Sequence, residues 1–217
     1  MPLAFRHRAA RVPAMSEVTG LVVRRERSAA VMATLQKRSE LEIQGRFDSG
    51  HRAYVASFND DPAAWGWVAT SGAVIGELKT SFVLADRERY LWNFVTLPAF
   101  RGRGIYPRLL AAIVEAESAD AEAFWIAYAP ENHASGSGIQ KAGFELVAEL
   151  SFSAEGRPVV TDIRPGGGSD ASHLLGLPDV QEPVAQCWKC VRAGAPHPHS
   201  CSAGSCSCDY QQPEKKC

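Results

Sequence analysis

With 217 residues, 46% of them hydrophobic and 22% charged, the chain can bury the core of one globular domain and still carry some tail. A formal net charge of -1 excludes any global attraction to nucleic acid or to an anionic membrane surface. No apolar run approaches the roughly 18 residues that a membrane-spanning helix requires, so a soluble protein is expected.

The first fifteen residues, "MPLAFRHRAARVPAM", carry three arginines and no acid, lack the apolar core of a secretory signal and lack the serines of a transit peptide. Residues 1–15 are therefore expected to be a basic, disordered extension, or a stretch upstream of a true start at Met15. "EVTGLVVRRER" follows as a strand. Ser28 offers an N-cap to a helix on which Val31, Met32 and Leu35 share a face. "HRAYVASF" alternates as a strand, the polar turn "NDDP" leads into "AAWGWVAT", and Ser71-Gly72 turns the chain into "AVIGELKTSFVL". "RYLWNFVTL" is the next strand. Short strands joined by hairpin-type turns predict a largely antiparallel sheet.

The pattern changes after "FVTLPAFRGRGIYPRLL". Ile105, Leu109 and Ile113 recur at four-residue steps and Ala116 continues the face, which makes an amphipathic helix. "AFWIAYA" reads as a buried central strand. "ENHASGSGIQKAG" has helical spacing with two interior glycines, and "FELVAELSF" and "RPVVTDI" are two further strands around Glu155-Gly156. "PGGGSDAS" opens a stretch of linker composition over 165–186.

A strand that runs through a glycine-rich turn into a helix presents unpaired N–H groups at the positive end of the helix dipole, an anion site suited to phosphate. Gly102 and Gly104 let the backbone approach the anion and take positive φ, and Arg101 and Arg103 add full charges. Pro107 falls in the first helical turn, where a missing N–H costs little. No Gly-Lys-Ser/Thr occurs, so this is not a P-loop, and Pro107 replaces the third glycine of a dinucleotide fingerprint.

The stretch resembles the acyl-CoA loop of the GNAT superfamily of N-acetyltransferases, Arg/Gln-x-x-Gly-x-Gly/Ala, through Arg101 and Gly104, with Tyr106 in place of the final small residue. "NHASGSGIQKAGF" resembles the next family segment, N-x-x-A/S-x-x-x-Y-x-K-x-G-F, through Asn132, Ser135, Lys141, Gly143 and Phe144, with Ile139 in place of the tyrosine. The resemblance covers roughly residues 17–164 and implies an α/β (α+β) fold: a mixed, mostly antiparallel sheet flanked by helices, over residues 16–164. It implies transfer of an acetyl group from acetyl-CoA to an amine in a ternary complex. The backbone of Phe94, Val95 and Thr96 would pair with the pantetheine arm. Arg101, Gly102, Arg103, Gly104, Ile105 and Tyr106 would hold the pyrophosphate. Asn132 and Ser135 would lie by the thioester. Glu77 is the candidate general base. Because Ile139 cannot donate a proton, either His133, Tyr128 or water would replace the family's tyrosine acid, or the thiolate would leave unaided. Lys141 and Phe144 are more simply a helix end and a core anchor.

All six cysteines fall between 187 and 217. "CWKCVRAGAPHPHSCSAGSC" places Cys187-x-x-Cys190 ahead of Cys201 and Cys206, a set that fits a tetrahedral zinc site, with His199 or Cys208 able to replace a late ligand. A thiol-rich disordered tail, disulfides and soft-metal binding are the other readings of residues 187–217. A cysteine-free body fits a reducing, cytoplasmic setting. The acceptor amine is not constrained, a homodimer is compatible, and neither membrane nor nucleic-acid partners are expected. The alternative function is an acyl-CoA-binding sensor or adaptor that does not turn over.

Overall fold

The computed structural model of the chain describes residues 1–11, 13–153, 155–163 and 167–181. The described residues form ten strands: β1 (Pro2–His7), β2 (Leu21–Glu26), β3 (Arg52–Phe58), β4 (Asp61–Ala69), β5 (Gly72–Ile75), β6 (Thr80–Val83), β7 (Glu88–Thr96), β8 (Ala123–Ala127), β9 (Glu145–Phe152) and β10 (Pro158–Asp162). Five helices accompany them: α1 (Ala29–Gln36), α2 (Glu40–Asp48), α3 (Ile105–Glu117), α4 (His133–Lys141) and α5 (Gly167–Leu175).

Eight strands make one sheet in the order β10-β9-β1-β8-β7-β4-β3-β2, and β5-β6 form a separate hairpin. Only β7 and β8 pair in parallel, the rest antiparallel, as the meander pattern predicts. The β3–β4 connection is a two-residue turn at Asn59 and Asp60, both at positive φ, the geometry that matches strand twist.

The period-2 alternation of the strands sorts the core. Ala4, Tyr54, Val68, Leu91, Phe124 and Ile126 face α3 and α4. Their neighbours face the other side, where Ala53, Trp65 and Trp67 pack under α1 and α2, and Leu3, Tyr90 and Trp125 pack under the β5–β6 hairpin and α5. Ser28 caps α1 by accepting the Val31 N–H at 3.2 Å, as its position predicts.

Several expectations are corrected. Residues 2–7 of the expected extension form β1 near the middle of the sheet, between β8 and β9, with Leu3 and Ala4 fully buried. The apolar run there, Leu3 to Phe5, is short and is followed at once by Arg6, His7 and Arg8, so composition masks it. The 165–186 linker contains α5, whose Ala171, Leu174 and Leu175 are buried against the hairpin and sheet. "AVIGELKTSFVL" is two strands rather than one, folded back through Gly76–Lys79. The helix α2 went unread because its only fully buried residue is Ile43. On α3 the inward face continues to Glu117, while Ala116 is exposed. The cysteine-rich stretch 187–217, expected to bind zinc, lies outside the described residues.

Candidate functional site

The slot begins with a backbone irregularity. Trp65 pairs with Val95 and Trp67 with Trp92, so the single residue Gly66 faces both Asn93 and Phe94. This is a β-bulge, with Asn93 at φ 52° as the inserted residue. Gly66 is required there because a Cβ would fall inside the ring of Phe94. Bulges bend the strand that carries them, and the β7–β8 pairing stops at Leu91–Ile126, one residue before the bulge register begins. From Trp92 to Thr96 no strand among the described residues pairs with the β8-facing edge of β7, which is open apart from the Thr96 carbonyl held by Arg101.

That edge leads through a 3-10 turn at Pro98–Phe100 into the glycine loop. Gly102 sits at φ 75° and Gly104, the N-cap of α3, at φ 68°, the left-handed region the sequence reading assigned to them. No side chain caps the α3 N-terminus, so the N–H groups of its first turn have neither an i-4 carbonyl nor a capping oxygen. Ile105 is buried beneath, so it offers backbone and not side chain to any ligand. Pro107 lies in the first turn, buried.

The two arginines are placed differently. Arg101 Nε donates to the Thr96 carbonyl at 3.1 Å, tying the loop to the end of β7. The Arg103 guanidinium lies over the rings of Phe58 and Phe100, at 5.3 and 5.8 Å. A third arginine, not singled out from sequence, reinforces the loop: Arg108 Nη1 donates to the Gly104 carbonyl at 2.6 Å and Nη2 to the Ser16 carbonyl.

The opposite wall is α4. Asn132 is its N-cap, its side-chain oxygen accepting the Ser135 N–H at 3.0 Å. The interior glycines now have a reason. A Cβ on Gly138 would fall on the Tyr106 ring, and one on Gly136 would meet the Tyr128 ring at 2.8 Å. Two tyrosines, from α3 and from just past β8, thus pack onto different faces of α4, at glycines two residues apart. The Tyr106 hydroxyl reaches Ser135 Oγ at 3.2 Å, bridging the two helices, and burial pushes its pKa up to about 12. Phe94 closes this group, 5.6 Å from the Tyr106 ring. Ile139 is fully buried in the core, and Phe144 is a core anchor as the simpler reading predicts.

The structure brings together Phe94, Thr96, Arg101, Gly102, Gly104, Tyr106 and Ser135, with Val95 paired to Trp65 beside them. The two proposed catalytic side chains are not held there. Glu77 is exposed in the turn of the β5–β6 hairpin, outside the main sheet and not on the strand expected, and its charge acts on buried Tyr90. His133 is exposed at the first position of α4. On the α1–α2 side of β7, Trp92 Nε1 donates to His51 Nδ1 at 3.2 Å, and the Arg46 guanidinium lies 5.1 and 4.9 Å over Trp67 and Trp92. Burial first, then Arg46, pushes the His51 pKa down, so its imidazole is neutral near pH 7. Gly66 between two tryptophans was the available signal for the bulge; nothing in the sequence pointed to His51.

Among the described residues no group of three or more His, Cys, Asp or Glu is placed to hold a metal, and no helix is long and apolar enough to cross a membrane. Cys187, Cys190, Cys201 and Cys206 lie outside the described residues.

Comparison with known proteins agrees with this geometry at the level of family. No curated protein matches the chain. Similar solved structures include a GNAT-family acetyltransferase of Novosphingobium aromaticivorans (19% identity, TM-score 0.45, 67% of this chain and 59% of that one) and a GCN5-related N-acetyltransferase of Kribbella flavida (15% identity, TM-score 0.41, 67% and 53%). An aminoglycoside N-acetyltransferase, AAC(6')-Iy, in complex with CoA is a third (18% identity, TM-score 0.47, 61% and 97%). The chain thus spans between half and two thirds of the length of the first two. The family model described as the acetyltransferase (GNAT) family matches residues 23–144, more than half of the chain and both walls of the slot, so the chain belongs to the GNAT acetyltransferase family.

Proposed function

We propose that the protein transfers an acetyl group from acetyl-CoA to an amine by direct attack in a ternary complex. The observation that carries this reading is the bulged β7, with its open edge running into a loop of two positive-φ glycines at an uncapped helix N-terminus. The open edge from Trp92 to Thr96 would take the pantetheine arm as an added strand. The N–H groups from Gly102 to Tyr106 would take the pyrophosphate, with the Arg101 charge beside them.

A lysine-like amine with a pKa near ~10.4 is neutral in only about one molecule in 2,500 at pH 7, a shortfall of roughly 4–5 kcal/mol. The amine nitrogen forms a bond to the thioester carbonyl carbon, the C–S bond breaks, and the ammonium proton must leave while the thiolate gains one. Exposure of Glu77 and His133 favours water as the carrier of the amine proton. Tyr128, just past the end of β8 and packed on Gly136, is the candidate phenol to protonate the departing sulfur, since the Tyr106 hydroxyl is already paired with Ser135. Holding both reactants between β7 and β8 supplies much of the acceleration, since effective molarities reach ~10⁵ M or more.

A second reading, acyl-CoA binding without turnover, is favoured by the Tyr106–Ser135 bridge between the two walls and by Ile139 in the core. Native mass spectrometry with acetyl-CoA, followed by free-thiol release across a panel of amines, separates the two. A CoA-sized adduct with amine-dependent thiol release supports transfer, an adduct alone supports sensing, and no adduct overturns both. The zinc site proposed for the cysteine tail is tested in the same spectra by a zinc-sized mass that a chelator removes.

A further inference from the structure

Residues 15–18 lie alongside α3, with the Ser16 carbonyl accepting from Arg108, between β1 inside the sheet and β2 at its edge. Between this segment and α3 lies a cavity of about 640 Å³, within the range of small-molecule sites. Much of its wall is apolar, including Val18, Leu21, Ala111 and Ala112. The interior charge is Arg6, which is only 3% exposed.

The guanidinium of Arg6 is only partly satisfied. Its Nη1 donates to the Ala142 carbonyl at the end of α4, at 2.7 Å, and its Nε is buried with no hydrogen-bond partner among the described residues. Arg6 lines the cavity, and its Nη2 has no hydrogen-bond partner among the described residues and, unlike Nε, is not fully buried. No carboxylate acts on Arg6 among the described residues, and burial alone pushes its pKa down. An unpaired buried charge is among the costliest features a fold can carry. The other charges around the cavity do not answer it. Arg8 is paired with Glu122 at 3.2 Å, Arg108 is bonded to two carbonyls, and Glu17 and Glu115 stand exposed on the rim.

We propose that this cavity is a second ligand site, which takes a small organic carboxylate with an apolar body, its carboxylate on Arg6 and its body along α3. A single interior positive charge matches a monoanion better than a doubly charged phosphate. The site adjoins the acyl-CoA loop at one end, where Arg108 both lines the cavity and holds the Gly104 carbonyl, and runs along α3 to Ser118, about 20 Å from Gly104 along the helix axis.

The test uses hexanoate, its neutral isostere hexanamide, and inorganic phosphate, titrated calorimetrically into the full-length protein. Hexanoate should bind saturably at one site, and hexanamide at least about tenfold more weakly, because a charge-assisted hydrogen bond is lost. Arg6→Gln should weaken hexanoate by at least about tenfold on the same ground. Should Arg6→Gln fail to fold, Ala112→Phe fills the cavity from α3 and should abolish hexanoate binding while leaving acetyl-CoA binding unchanged. Acetyl-CoA is titrated into every sample, so a failed slot and a failed second site give different results. The proposal is overturned if hexanamide binds as well as hexanoate, if phosphate binds more tightly, if the folded variants bind like the parent, or if nothing saturates by about 20 mM, a range that would still reveal weak sites.

Discussion

Replacing Gly102 by alanine puts an L side chain at φ 75° with no atom within 4 Å of the new Cβ. The change is therefore conformational strain without a clash, worth about 1–2 kcal/mol. Where that cost falls depends on the loop. If the loop keeps its shape, folding stability drops by the full amount and acetyl-CoA affinity stays. If the free loop relaxes, stability is spared and the cost reappears on binding, as about a five- to thirtyfold loss at 1.4 kcal/mol per tenfold. The two losses are linked, and their sum is the strain. Urea denaturation with and without acetyl-CoA, together with calorimetric titration, measures both. Gly102→Asn is the control, since asparagine tolerates the left-handed region and should recover most of the loss. Gly104→Ala should cost more, because its Cβ also meets the Arg108 guanidinium that holds the loop. If Gly102→Ala changes neither quantity, the left-handed geometry is not what prepares the loop, and the argument from its two glycines fails.

Three further outcomes are expected. Glu117 is buried at the end of α3, accepting from Arg52 at 2.5 Å, Tyr54 at 2.6 Å and buried Arg89 at 3.1 Å; Glu117→Gln leaves Arg52 with Asp120 at 3.6 Å but removes the carboxylate paired with buried Arg89, and should cost about 3–5 kcal/mol in urea denaturation, with a loss below about 1 kcal/mol showing that water solvates the group. His51 has its pKa pushed below the ordinary 6.5 by burial and by Arg46, so the unfolded chain binds the proton first. The stability this contributes is present above about pH 6.5 and is lost as pH falls through the lower folded value; urea midpoints taken between about pH 7.5 and 5 should fall less steeply in His51→Gln than in the parent. Gly138→Ala pushes the Tyr106 ring off α4, an overpacking cost of about 1–3 kcal/mol offset by up to about 1 kcal/mol of helix propensity. The Tyr106–Ser135 bridge should open with it, read as faster acetyl-CoA association in stopped flow; unchanged association would remove Tyr106 as an obstacle to entry.

Local chemistry was enough to reveal the strands of the meander, the α3 helix and the glycine loop, because alternation, four-residue spacing and glycine pairs are short-range signals. The loop's positive φ angles and the capping of α1 by Ser28 follow from residue type at a single position. What tertiary structure decided is whatever depends on distant partners. Residues 2–7 are a strand because β8 and β9 leave a place between them, which no local pattern in "PLAFRH" announces. The α5 helix is held by Ala171, Leu174 and Leu175 against a hairpin some ninety residues earlier in the chain. The slot itself depends on Gly66 facing two residues of β7, and the glycines of α4 are explained only by tyrosines arriving from α3 and β8. Glu77, whose apolar flanks suggested a strand in the site, lies in a turn, because those flanks pack across a hairpin. Spacing along a chain can nominate residues, but only the packing of remote elements determines which of them meet.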